Sequence, residues 1–297
     1  FRRAAESGPA QKPAPASSTA SIAVLPFANR SGSPDDEYFS DGLADELLNV
    51  LVKIKGLHVA ARASSFHFKG KGATIAEVGQ ALSVATVLDG SVRKSGDRVR
   101  ISMQLVQVAD GHHLWAETYD RTLDDIFAVQ DDIAHSVVKE LRHALLGEAD
   151  DSDASGRGRA EVAAARGRIT DPEAYDLYLR GRHLMTAADD GAERAQEMFR
   201  QAIERAPTFA LPYAGLGSVY VLQSWRASRD RAETVSKARA ALARALELDD
   251  QLCEALVLSA QIKLYFDWDF AGAGDDLRRA IEQNPSSDVA YREYANW

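Results

Sequence analysis

Hydrophobic positions along the chain follow two rules in turn, a mixed strand and helix pattern first and a purely helical one later. Ile22 to Phe27 (IAVLPF) is a short apolar run of strand type. Asn29-Arg30-Ser31-Gly32-Ser33 follows with loop chemistry. Ser33-Pro34-Asp35-Asp36-Glu37 then offers an N-cap, a first-turn proline and carboxylates for the positive end of a helix. Phe39, Leu43, Leu47, Val50 and Ile54 recur at steps of three and four, which predicts a helix with one apolar stripe, stopped by Gly56. Leu57 to Ala61 reads as the next strand and Thr74 to Leu82 as a shorter helix, with Ile75, Val78 and Leu82 inward. From Val84 the period becomes two: Val99, Ile101, Met103 and Leu105 alternate with Arg100, Ser102 and Gln104. Lys94-Ser95-Gly96-Asp97 precedes this strand and a two-residue Asp110-Gly111 turn follows it, so three antiparallel strands are expected, the third at His112 to Tyr119. Ile126, Val129, Ile133, Val137, Leu141 and Leu145 mark a long final helix. The order is β-α-β-α-β-β-β-α, an α/β unit with a mixed sheet and flanking helices.

After residue 170 the period stays helical and repeats. Tyr213, Leu216, Gly217 and Tyr220 are followed by Ala238, Leu242 and Ala245. An earlier copy holds Leu177, Gly181, Ala195, Phe199, Ala202 and Pro207, and a later one Leu256, Ala260, Ala273, Leu277, Ala280 and Pro285. Tyr291, Tyr294 and Ala295 open a fourth, so the chain is expected to be a fragment that ends inside a repeat. Gly181, Gly217 and Ala260 let paired helices approach closely. Residues 1–20, rich in proline and small polar residues, read as a disordered linker, and residues 147–169, beginning GEADDSDASGRGR, as a second. Having little to bury there, residues 21–146 and 170–297 are expected to fold independently.

Composition narrows the function. With 45% hydrophobic and 27% charged residues, the chain builds real cores. Its 35 Lys and Arg against 44 Asp and Glu leave a net charge of -9, and both halves are acidic, so no basic face for a nucleic-acid backbone is expected. One cysteine, Cys253, excludes an internal disulfide and a cysteine metal cluster, and reads as a small core hydrophobe. No apolar run is long enough to span a membrane. His112 and His113 are strand neighbours that point to opposite faces, a poor metal pair. Ser91 and Lys94 match an acyl-serine pattern but fall on a strand rather than a helical turn. Phe68 to Thr74 is glycine-rich without the frame of a phosphate loop. Asp124-Asp125 and Asp131-Asp132 are adjacent on a helix and diverge. No catalytic residue, metal site or cofactor is expected.

The runs IAVLPFANRSGSPDDEYFSDGLADELL, ATVLDGSVRKSGDRVRISMQLVQVADGHHLWAETYDR and IFAVQDDIA resemble the TolB-like amino-terminal domain that many bacterial proteins join to tetratricopeptide repeats. The second half resembles those repeats, departing from them at Asp250 in place of the terminal proline and at Arg180 and Ser259 in place of leucine. The resemblance implies a non-enzymatic α/β module plus an all-α tetratricopeptide repeat array, often attached to a nucleotide cyclase, a Ser/Thr kinase or a winged-helix regulator. It also implies that the first helix of each repeat lines a concave groove. Spacing within those helices puts Tyr175, Tyr178 and Arg182, then Ser218, then Glu254 and Gln261, then Arg292 and Asn296 on that inner face. These residues are the expected contacts for a protein or peptide partner, with Arg182 and Arg292 anchoring a carboxylate. A groove filled by a neighbouring segment or by water is the competing reading. The alternative function is a ligand-sensing regulatory region of a membrane-bound cyclase, kinase or transcriptional regulator. The family architecture implies the periplasmic side of an inner membrane, with the cytoplasm as alternative and any membrane contact through a segment absent from this chain. Oligomeric state is left open.

Overall fold

A computed structural model describes residues 20–33, 36–54, 56–122, 125–141, 171–186, 191–226 and 231–297. Of the proposed linkers 1–20 and 147–169, residues 1–19 and 147–169 lie outside the described residues, as does Leu145 of the expected long helix, whereas Ala20 is described and buried.

The first half is built on a six-stranded mixed sheet in the order β3-β1-β4-β5-β6, with β2 also beside β4. β1 (Ser21–Val24) runs parallel to both β3 (His58–Val59) and the start of β4 (Thr86–Ser95). β2 (Ala28–Asn29) pairs with β4 further along, through Ala28 opposite Ser91 and Asn29 opposite Val92. β1 and β2 are thus one strand path interrupted around Pro26, which has no N–H to give to a ladder. Asn29 was expected in a loop; its strand pairing is too short to leave a periodic trace. β4, β5 (Arg98–Gln107) and β6 (His113–Thr122) are antiparallel neighbours, as the alternation predicts. Gly96, at φ +59°, makes the tight turn between β4 and β5. The second turn is longer than the expected two residues: the Gln107 N–H bonds the His112 carbonyl around Val108 to Gly111, and a bulge follows Leu105.

Helices cover both faces. α1 (Glu37–Val52) buries Phe39, Leu43, Leu47 and Val50 as predicted, but begins at Glu37, and Asp36 rather than Ser33 stands at its N-cap without a side-chain capping bond. α2 (Arg62–Phe66) was not expected, because five residues are too few for a helical period to show. α3 (Ile75–Leu82) starts with a capping box between Thr74 and Glu77 and lays Val78 over Val87 and Ala23. α4 (Ile126–Leu141) packs with α1 on the opposite face, against Val99, Ile101, Met103 and Leu105.

The second half consists of helices in antiparallel succession: α5 (Pro172–Leu184), α6 (Gly191–Arg205), α7 (Ala210–Arg226), α8 (Arg231–Leu248), α9 (Cys253–Ile262), α10 (Phe270–Gln283) and α11 (Asp288–Asn296). α9 runs on through a π-helical turn, Lys263–Asp267, and ends at Trp268 with φ +58°. The close approaches fall where the small residues were placed. A Cβ added at Gly181 would sit 2.5 Å from the Phe199 ring, and one at Gly217 2.5 Å from Leu242.

The halves were expected to fold with separate cores. Instead one hydrophobic cluster runs from Ile22 and Leu105 through Phe39, Phe127 and Tyr175 to Phe199, Leu216 and Leu242. α5 is the shared element, because its apolar face has α1 and α4 on one side and α6 on the other.

Candidate functional site

The face of α5 that the repeat register directs into an open groove is covered by α1 of the sheet unit. Gly42, in the middle of α1, allows the approach: a Cβ there would lie 2.5 Å from Leu179 of α5. One turn on, Asp45 is 2% exposed and receives Arg182 of α5 and, at 2.7 Å, Arg62. Glu46 adds a 3.7 Å contact to the same guanidinium. Burial pushes the Glu46 carboxyl up to about 8, against the pull of Arg182, with Asp45 and Glu254 adding repulsion. Burial disfavours the Arg182 charge, yet Asp45, Glu254 and Glu46 outweigh it and hold its pKa well above the ordinary value.

A second polar cluster lies at the start of α5. Tyr38 of α1 donates to Asp176 at 2.6 Å, Lys94 of β4 donates to Asp176 and to the Tyr38 hydroxyl at 3.0 Å each, and Arg180 reaches Asp176 at 2.8 Å. Lys94 also lies 5.5 Å and 5.2 Å from the ring centres of Tyr38 and Phe39. Burial raises the Tyr38 pKa, and its bond to Asp176 raises it further. Burial pulls Lys94 down, but its contacts with Tyr38 and Asp176 outweigh that and keep it charged. The lysine of the apparent acyl-serine pattern is therefore a structural cation.

An aromatic ladder joins these clusters to the helices. Phe127 of α4 meets Tyr175 at 5.1 Å, Tyr175 meets Tyr178 at 6.5 Å, and Tyr178 meets Phe199 at 6.1 Å and Phe209 at 5.5 Å. Gln130 of α4 donates to the Tyr175 hydroxyl at 2.8 Å. Further along, the Ser286 hydroxyl before α11 donates to the Val59 carbonyl of β3 at 2.6 Å, a second point where helices and sheet meet.

The expected partner-binding residues thus divide. Tyr175 and Tyr178, 1% and 2% exposed, are interior, and Arg182 is committed to Asp45. For these three the expectation of an open groove is corrected, because Tyr175 packs on Phe127 of α4, Tyr178 on Phe199 and Phe209, and Arg182 is held by Asp45 of α1. Glu254 is half-buried and faces the same charge cluster. Ser218 and Gln261 are half-buried on α7 and α9. Arg292 and Asn296 are exposed at the far end, where Arg292 comes only within 3.8 Å of Glu293 and Asn296 donates to the Tyr265 hydroxyl at 3.5 Å. Sequence reasoning missed Gly42, Asp45 and Glu46. The signal was Gly42 itself, since a glycine inside a helix costs about 1 kcal/mol and often marks a close approach.

The other candidates find ordinary places. His112 and His113 are exposed, and among the described residues no group of three or more His, Cys, Asp or Glu could hold a metal ion. Gly70 and Gly72 have positive φ in a turn where Lys69 pairs with Glu37 and Asp41. Burial pushes the Cys253 thiol up to about 11. No described helix is long and apolar enough to cross a membrane.

Residues 18–136 match the family described as HilA/YgeH-like transcriptional regulator, second domain. A curated relative, "Putative adenylate cyclase 3" of Rhizobium meliloti (strain 1021), is 42% identical over 200 residues, which make up 67% of this chain and 32% of the relative. The chain therefore spans about a third of the length of that relative. Weaker likeness extends to solved structures. TolB from Acinetobacter baumannii has a TM-score of 0.33 and 17% identity over 41% of this chain and 28% of that one. Lipoprotein GNA1162 from Neisseria meningitidis has a TM-score of 0.30 and 23% identity over 35% of this chain and 80% of that one.

Proposed function

We propose that this chain is a non-catalytic regulatory region of a larger signalling protein, in which an α/β unit sets the state of a helical array by holding its first hairpin. The observation that carries this reading is the seat of α1 on α5, with Asp45 and Arg182 on one side and Tyr38, Lys94 and Asp176 on the other. A contact made of buried ion pairs and an aromatic ladder transmits displacement, because its parts cannot slide without breaking paired charges. The cyclase named in the 42% identical relative and the regulator named in the matching family both support a signalling role. The spacing of the helical pairs supports reading them as tetratricopeptide repeats. Any peptide held by their inner face has to use the end around Ser218, Gln261, Arg292 and Asn296, which α1 does not cover.

A chimera tests the reading. This chain should replace the matching region of the Rhizobium meliloti relative without loss of cyclic AMP formation in cells. The same chimera with Lys94→Ala and Asp176→Ala should change that output about threefold or more while its protein level holds. Unchanged output from the variant chimera would remove the coupling role.

A further inference from the structure

We infer that β6 is a self-association edge through which two copies of this chain join their sheets. β6 is ten residues long and ends the sheet, and among the described residues it pairs with β5 alone. Ser95 and Arg98 close the turn at Gly96, so Arg98 bonds toward β4 and Val99 toward β6. Counting along the ladder, Arg121, Tyr119 and Glu117 bond β5, whereas Ala116, Thr118, Asp120 and Thr122 turn their N–H and C=O groups outward. No backbone hydrogen bond to another described element meets that outward row. Such an edge is a template for another strand, and β6 has neither a proline nor a lysine to blunt it. Its bulge lies at the far end, beside Leu105 and Val106, and leaves the stretch after Trp115 regular.

The charges on the strand select a second copy as the occupant. When two β6 strands run antiparallel about a two-fold axis through Tyr119, Glu117 of each copy stands opposite Arg121 of the other. Thr118 then stands opposite Asp120. This register also brings the outward-turned residues into hydrogen-bonded pairs. A shift of one pairing step either way loses both Glu-Arg pairs, and Asp120, which would meet its own copy in one of them, is already held by Arg100. Arg121 is exposed and donates only to the Asp120 carbonyl among the bonds described, and Glu117, exposed as well, keeps one carboxylate oxygen for it while the other accepts from the Tyr119 hydroxyl at 3.1 Å. The association is isologous and closes at two copies.

Sedimentation velocity on the 297-residue chain over a concentration series tests this. A monomer-dimer equilibrium is expected. Thr118→Pro removes an outward N–H without touching the β5 ladder and should leave only monomer. Glu117→Arg should weaken the dimer about tenfold, and Glu117→Arg with Arg121→Glu in one chain should restore it, because the pair is exchanged symmetrically. A monomer at every concentration, or a dimer indifferent to both Glu117→Arg and Thr118→Pro, overturns the inference. If Thr118→Pro fails to fold, the charge exchange decides alone: recovery in the double variant supports the register and no recovery overturns it.

Discussion

The two ends of the helical array carry equivalent positions with opposite fates. At the first hairpin Arg182 is 26% exposed and locked to Asp45, and the tyrosines beside it lie in the core. At the last helix Asn296, the counterpart of Arg182 in the repeat register, and Arg292, the counterpart of Tyr178, are both exposed, Arg292 at 61%, and so are Tyr291, Tyr294 and Trp297. Between them the aromatic character of the surface rises, with Trp225 edge to face against Tyr265 at 5.3 Å and Trp268 at 73% exposure. Sequence register assigns a residue to a helix face; what covers that face is decided by a distant element, here α1. The first of these helix faces is therefore an intramolecular joint, while the residues of the last one are exposed among the described residues.

The largest expected effect breaks the joint. Arg182→Ala leaves Asp45 and Glu46 buried without their main cation and should cost about 3 to 5 kcal/mol in chemical denaturation. Loss of less than about 1 kcal/mol would place Arg182 in the same class as an exposed arginine.

Next in size is a pH effect at the same joint. Burial raises the Glu46 carboxyl from 4.5 to about 8, in the presence of Arg182 of α5, Asp45 of α1, Glu254 of α9 and Lys53 just after α1. Its folded pKa lies above its unfolded one, so its contribution is fully present below about pH 4.5 and is lost as pH rises toward 8. Glu46→Gln should flatten this slope and make the chain more stable at pH 9 than the unsubstituted protein, on the order of 2 kcal/mol. A stability profile with the same slope in both proteins would show that Glu46 is ionised in the folded state.

A smaller change wedges the helices apart. Gly42→Leu overpacks the contact with Leu179 and should cost about 1 to 2 kcal/mol, as should Gly217→Leu at Leu242. The two differ in reach: only the first should also loosen amide-exchange protection in both α1 and α5. Smallest of all, Arg292→Ala should change stability by less than about 0.5 kcal/mol.

Much of the sheet unit is legible in the chain because its elements are long and periodic. The α1 stripe, the alternation of β5 and the glycine at position 96 each leave a local pattern that the packing then respects. β2 and α2 leave none, being too short to complete a period. The Asp110-Gly111 dipeptide misled because the Gln107 N–H closes onto the His112 carbonyl, which makes the connection four residues rather than two. For the candidate site the spacing put Tyr175, Tyr178 and Arg182 on one helix face, but what packs on that face was not legible. Asp45 and Glu46 look like solvated helix charges in sequence, and only the fold brings an arginine more than a hundred positions away to meet them.

Scanning calorimetry tests most directly whether the sheet unit and the first helical hairpin form one cooperative body. The account predicts one transition for the sheet unit together with α5 and α6, with calorimetric and van't Hoff enthalpies in agreement, and its separation into two when Arg182 is replaced by alanine. Two resolved transitions in the unsubstituted chain, with the Arg182→Ala variant giving the same pair, would contradict it.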